Sequence, residues 1–126
     1  MRRWLAAGRA ATSRITEVEI ASALARRVRE GSLAAPDRDR AIEALLDDLT
    51  AIHVVELTPE VSGRARELLA RHRLRAGDAL QLASALHLAQ EVGESIPFVA
   101  FDDRLRVAAI AETVVTLPKT VRKVTA

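Results

Sequence analysis

Short apolar runs alternate with longer amphipathic segments along most of the chain. Ile20, Leu24 and Val28 stand four residues apart and predict a helix from Thr16 to about Glu30. Segments with similar spacing predict further helices over residues 36–51, 58–73, 77–93 and 104–111. Apolar, β-branched runs between them predict strands over residues 9–15, 53–57, 98–101 and 114–117. This alternation is typical of an α/β fold in which helices cover both faces of a parallel sheet.

The remaining segments complete a single small domain. Residues 2–7 predict the last turns of another helix, with Gly8 as its C-cap. We expect the domain to span residues 1–117 and a basic tail to occupy residues 118–126. No apolar run reaches the roughly 20 residues of a membrane span, and the first residues do not have the pattern of a secretory signal. The sequence therefore predicts a cytoplasmic protein without a membrane partner.

The composition excludes several kinds of site. The chain contains two Phe, one Trp and no Tyr, so its core must consist of Ala, Leu, Val and Ile. The same scarcity argues against a single-strand nucleic-acid binder, because such proteins stack bases on aromatic side chains. There is no Cys, which excludes disulfides and thiolate zinc sites. The three histidines are widely separated, and neither Ser13 nor Ser84 belongs to a nucleophile pattern.

Arginine accounts for most of the positive charge, and the net charge is +2. One cluster lies at residues 26–29, and a second contains Arg64, Arg66, Arg71, Arg73 and Arg75. Such clusters can bind phosphate groups. They are also typical of solvated helix faces whose arginines pair with nearby acids, for example Arg64 with Glu60.

Three carboxylates stand where a parallel sheet would place a ligand site. Glu19 follows the first predicted strand, Asp78 lies in the first turn of its helix, and Asp102 directly follows the strand over 98–101. Ligand sites of parallel sheets lie at the carboxyl ends of the strands. Clustered carboxylates suit hard cations such as Mg²⁺ or Mn²⁺, which prefer oxygen ligands. Each acid alone also fits a structural role: Glu19 in a capping box with Thr16, Asp78 as an N-cap or a favourable charge at a helix N-terminus, and Asp102 as a helix cap.

Three segments resemble the second, third and fourth motifs of the PIN-domain ribonucleases of the VapC toxin type. They are residues 12–20 followed by 23–26, residues 74–86, and residues 98–105 followed by 108–109. Their order and rough spacing also agree, and the resemblance extends from about Gly8 to Leu117.

The resemblance implies a three-layer α/β/α PIN-like domain with a short central parallel sheet. It implies a Mg²⁺- or Mn²⁺-dependent endoribonuclease, the toxin of a toxin–antitoxin pair, with RNA as substrate, a cognate antitoxin as partner and a homodimer as assembly. Glu19, Asp78 and Asp102 match the family's acidic metal-site and catalytic positions. Asp103 adjoins Asp102 at a position that is usually variable in the family, so the resemblance implies only a supporting role for it. Ala100 stands where the family often has Thr or Ser.

The resemblance also implies a first strand that carries a further Asp and lies in the middle of the sheet. This sequence begins within the helical segment that follows that strand, so we expect the strand and its acid to be absent. Two explanations compete, a start codon assigned too late and a decayed relic, and we expect the first, because a truncated sheet would be hard to keep soluble. Two alternatives remain open on the sequence: a non-catalytic PIN-like module that binds an antitoxin or a nucleic acid, and a plain α/β interaction domain whose acids are all helix caps.

Overall fold

A computed structural model of the protein describes residues 8–100, 102–112 and 116–117. In chain order its elements are β1 (Ala11–Ser13), α1 (Ile15–Arg29), α2 (Ala35–Thr50), β2 (His53–Val55), α3 (Pro59–Arg71), α4 (Ala76–Val92), β3 (Phe98–Val99), α5 (Asp103–Ala111) and β4 (Thr116–Leu117). The predicted α/β alternation is confirmed, although each strand is shorter than expected. The predicted helix over 2–7 and the tail over 118–126 lie outside the described residues.

The described strands form two separate parallel pairs. β1 pairs with β2, with Ala11 opposite His53, and β3 pairs with β4, with Phe98 opposite Thr116. The short parallel sheet of the predicted fold is therefore present as two half-sheets, and no backbone pairing joins them in the part of the chain that the structure describes.

A cavity of about 430 Å³, here called the inter-sheet cavity, separates the half-sheets. β1 and β3 form its walls, and one stripe of α4, with Ser84, Ala85 and Leu88, forms its floor. β1 bonds to β2 through Ala10 O, which accepts from His53 N at 3.0 Å, and through Arg14 N, which donates to Val55 O at 2.9 Å. Alternate residues of a strand bond to opposite sides, so Ala11 and Ser13 direct their backbone groups away from β2.

Helix α4 is the centre of the core. Its Leu82 and Ala83 are fully buried, and it packs along α3, whose Val61 and Leu68 are also fully buried. Further buried side chains come from α5 and β2, including Leu105, Ala108, Ala109 and Val55. As the composition predicts, the buried hydrophobic residues in the described ranges are all Ala, Leu or Val. Their packing fixes α4 and α5, which begin beside the candidate site.

Helices α1 and α2 pack against each other and contribute no buried residue to the core. The predicted apolar stripe of α1 is only partly covered: Leu24 and Val28 are half-buried, and Ile20 is exposed. Leu46 of α2 is also exposed. None of the helices in the described ranges combines the length and apolar character that a membrane crossing requires.

Candidate active site

Acidic side chains from three distant parts of the chain line one cavity of about 430 Å³, here called the acidic cavity. Its lining residues are Glu19, Arg73, Arg75, Gly77, Asp78, Asp102 and Arg104. The structure thus brings together all three of the acids that the sequence singles out. Glu19 is in α1, directly after β1; Asp78 is the third residue of α4; and Asp102 lies between β3 and α5.

Glu19 does not belong to a capping box. Helix α1 starts at Ile15, one residue before Thr16, and its N-cap position is Arg14. The Glu19 carboxylate instead accepts a hydrogen bond at Oε1 from Gln81 Nε2 of α4, at 2.7 Å. The capping interpretation of this acid is therefore wrong, and its side chain joins α1 to α4 at the edge of the acidic cavity.

Asp78 is not a helix cap either, because Arg75 occupies the N-cap position of α4 and no side chain caps that end. Partial burial is the main cause that raises the pKa of Asp78, and the nearby charges of Asp102 and Glu19 raise it further. The cations Arg75 and Arg104 act in the opposite direction. The charges of Asp102 and Glu19 therefore both repel the carboxylate of Asp78.

Asp102 does fill the structural role that its position predicts. It is the N-cap of α5, and its Oδ1 accepts a hydrogen bond from Leu105 N at 3.1 Å. This bond uses one carboxylate oxygen. The adjoining Asp103 is the first residue of α5 and lines a neighbouring cavity, which shares Arg73 and Arg104 with the acidic cavity. Adjacent acids in the sequence therefore have different surroundings.

The second arginine cluster of the sequence divides in space. Arg73 and Arg75 line the acidic cavity together with Arg104, which the sequence analysis did not single out. Arg71 instead pairs with Glu112, at 3.0 Å. The side chain of Arg64 donates to Gln90, so the predicted pair with Glu60 is replaced by a contact between α3 and α4. Only part of the cluster is therefore placed to meet a phosphate at this site.

The donor chemistry of the cavity fits a divalent cation. Its three acids offer only carboxylate oxygens, which suit Mg²⁺ or Mn²⁺. A cation would also relieve the repulsion of Asp78 by Asp102 and Glu19. As they stand, no three His, Cys, Asp or Glu side chains of the described ranges form a group that could hold a metal ion. Glu19 and Asp102 are each held by a hydrogen bond to another group. The acids line one cavity but do not, in this arrangement, close into a set of ligands.

Other residues noted in the sequence have structural roles. Ser13 Oγ accepts from Ile15 N at 3.3 Å, and Ser84 Oγ donates to Leu80 O at 2.7 Å. His72 bonds to Glu112 at 2.8 Å, and His87 pairs with Glu91 at 3.0 Å. The half-sheets, helices and acidic cavity together define a small α/β domain with an acidic site beside its parallel strands.

The chain belongs to the PIN domain family, whose model matches residues 1–111. PIN domains are generally nucleases, act on nucleic acid and typically use divalent metals. This confirms the PIN-like α/β fold expected from the three motifs. No curated protein matches the chain.

Proposed function

We propose that this protein is a Mg²⁺- or Mn²⁺-dependent endoribonuclease in which Glu19, Asp78 and Asp102 hold the cation. The observation that carries the proposal is the convergence of these three acids and three arginines at one cavity of a PIN domain. Helix caps alone do not account for it, because neither Glu19 nor Asp78 caps a helix.

The side chains of the cavity divide into two chemical roles. A bound divalent cation supplies Lewis acidity toward the phosphate and lowers the pKa of water. The carboxylates of Glu19, Asp78 and Asp102 bind that cation through oxygen. Arg73, Arg75 and Arg104 carry positive charge at the rim, where they bind the RNA backbone and hold the phosphodiester beside the acids.

We further propose that the ribonuclease is a VapC-like toxin with a cognate antitoxin and a homodimeric assembly. This rests on the three motifs in register. Growth arrest on expression, relieved by co-expression of the product of an adjacent gene, is the expected result.

Cleavage of a labelled RNA by the full chain, with Mn²⁺, Mg²⁺ or EDTA, tests the nuclease proposal. We expect cleavage that requires the cation and is abolished by Asp78→Asn. Asp47→Asn is the matched control, because Asp47 is an exposed aspartate of α2 that does not line the acidic cavity. Cleavage that persists in Asp78→Asn, or that EDTA leaves unchanged, would contradict the proposed role of the acids.

A further inference from the structure

The side-chain amide of Gln81 connects Glu19 to the hydroxyl groups beside β1. Its Nε2 donates to Glu19 Oε1 at 2.7 Å and to Thr16 Oγ1 at 2.9 Å. A side-chain amide nitrogen carries two hydrogens, so both donors are used. This pairing also fixes which end of the amide faces the carboxylate, because only the nitrogen end can donate to it.

The connection continues into β1. Thr16 Oγ1 lies 2.6 Å from Thr12 Oγ1. Because Thr16 accepts from Gln81, its own hydroxyl hydrogen is available to Thr12. The chain of contacts therefore runs from Glu19 through Gln81 and Thr16 to Thr12, a residue whose backbone is held in the parallel pair with β2.

The other oxygen of Glu19 has a defined place as well. A Cβ atom added at Gly77 would clash with Glu19 Oε2, so the carboxylate lies directly over the backbone of Gly77. Gly77 precedes Asp78, and all three residues line the acidic cavity. One oxygen of Glu19 is thus held by a donor, and the other fills the space that a glycine leaves at the start of α4.

We propose that Gln81 is a positioning residue for the cation site, which orients the Glu19 carboxylate toward Asp78 and makes cation binding tighter. The inference rests on the proposed function, since it assumes that Glu19 holds the cation. Residues that bond to metal ligands from outside typically change metal affinity 10–100-fold when they are replaced. Gln81 itself touches neither the cation nor the RNA in this role.

Mn²⁺ titration of the full chain by calorimetry tests the inference. We expect Gln81→Leu to weaken Mn²⁺ binding about 10-fold or more. The matched control is Gln90→Leu, because Gln90 is on the same helix, is exposed, and accepts from Arg64 away from the acidic cavity. Binding that is equal in the wild-type chain and Gln81→Leu, while Glu19→Gln abolishes it, would overturn the role of Gln81 and leave the proposed site intact. Absence of Mn²⁺ binding in the wild-type chain would overturn both.

Replacements of Thr16 separate positioning from simple stability. We expect Thr16→Val, which has no acceptor for Gln81, to weaken Mn²⁺ binding, and Thr16→Ser to restore it. The melting temperature without metal should be similar in Thr16→Ser and the wild-type chain. Equal Mn²⁺ affinities in Thr16→Val and Thr16→Ser would overturn the inference, because the hydroxyl would then have no part in orienting Gln81.

Discussion

The carboxylate of Glu19 lies over Gly77, where the second carboxylate oxygen occupies the space that a Cβ atom would need. We therefore expect Gly77→Ala to displace Glu19 and to reduce Mn²⁺ affinity and RNA cleavage about 10-fold or more. Alanine favours a helix by about 0.8–1.0 kcal/mol over glycine, so the loss of function should not come with a large loss of stability. Calorimetry and thermal denaturation of the same samples measure both.

Gly63→Ala provides the control for that variant. Gly63 is also a helical glycine, in α3, and an added Cβ would meet only Arg66 Nη2 at 3.8 Å, an ordinary contact. The higher helix propensity of alanine at position 63 should then stabilise the folded chain without any change in Mn²⁺ affinity. If Gly63→Ala and Gly77→Ala had the same effect on Mn²⁺ binding, the close approach of Glu19 to Gly77 would not explain it.

Asp78→Asn is expected to stabilise the fold at neutral pH. Burial and the charges of Asp102 and Glu19 raise the pKa of Asp78, so the folded chain holds a proton there more tightly than the unfolded chain does. The stability that this group contributes is therefore fully present at a pH below the usual aspartate pKa. It is lost as the pH rises through the raised pKa of Asp78 in the folded chain. At pH 7 the neutral Asn should raise the melting temperature by up to about 3 °C.

Thermal denaturation between pH 4 and pH 8 measures this effect. The advantage of Asp78→Asn over the wild-type chain should grow as the pH rises. A lower melting temperature for Asp78→Asn at pH 8 would mean that burial and the charges of Asp102 and Glu19 do not destabilise the Asp78 carboxylate in the folded chain. Saturating Mn²⁺ should stabilise the wild-type chain more than Asp78→Asn, because only a cation bound to the folded state adds stability.

Arg75→Gln and Arg104→Gln should weaken RNA binding with a smaller effect on the chemical step. Both cations lie at the acidic cavity, so we expect a higher KM for RNA. The slope of the logarithm of RNA affinity against the logarithm of salt concentration should become shallower by about one unit per lost phosphate contact. Arg26→Gln is the control, since Arg26 is in the last turn of α1, about 10 Å along the helix from Glu19. An equal loss of RNA affinity in Arg26→Gln would indicate diffuse attraction in place of a defined contact.

Glu112→Gln tests a structural contact away from the site. Arg71 and His72 donate to Glu112, and these bonds lower the pKa of its carboxyl group. A group with a lowered pKa in the folded chain contributes stability at any pH above the usual glutamate pKa. That stability is lost as the pH falls through the pKa of the folded chain. We expect Glu112→Gln to cost about 1–2 kcal/mol at pH 7 and nearly nothing at strongly acid pH, as measured by urea denaturation.

Glu91→Gln is the matched control for that contact. Glu91 pairs with His87 within α4, but its side chain is 60% exposed. Exposed pairs of this kind contribute about 0–1 kcal/mol, so Glu91→Gln should change stability less than Glu112→Gln at pH 7. A larger effect of Glu91→Gln would show that exposure does not decide which pair stabilises the fold.

The sequence predicted the helices more closely than the strands. Helix α1 starts within one residue of the expected position, because the periodic side chains and the glycine after it mark its length. β1 has three residues where the apolar run predicted seven, since a strand extends only as far as a partner bonds to it. An apolar run indicates that a segment is buried, whereas the length of a strand depends on hydrogen bonds to a partner strand elsewhere in the chain.

Within the site, the acids were predictable and their supports were not. Glu19, Asp78 and Asp102 stand at the ends of strands and the starts of helices, and these positions follow from the order of elements. Gln81 follows Asp78 by three residues on α4 and so shares its helix face, which is a signal that spacing could have provided. The space over Gly77 depends on how α1 packs against α4, and that is fixed only by the folded chain.

The division of the sheet into two halves affects how firmly the width of the acidic cavity is fixed. Glu19 follows the β1–β2 half, whereas Asp102 follows the β3–β4 half. Because no ladder of the described strands joins the halves, the separation of these two acids is set by side-chain packing around α4 and α5. We therefore expect the distance between Glu19 and Asp102 to change more easily than it would if hydrogen-bonded strands joined the two halves. A cation bound by both Glu19 and Asp102 would therefore hold the two half-sheets at a fixed distance. We expect the exchange of backbone amide hydrogens to slow in both half-sheets together when Mn²⁺ is added.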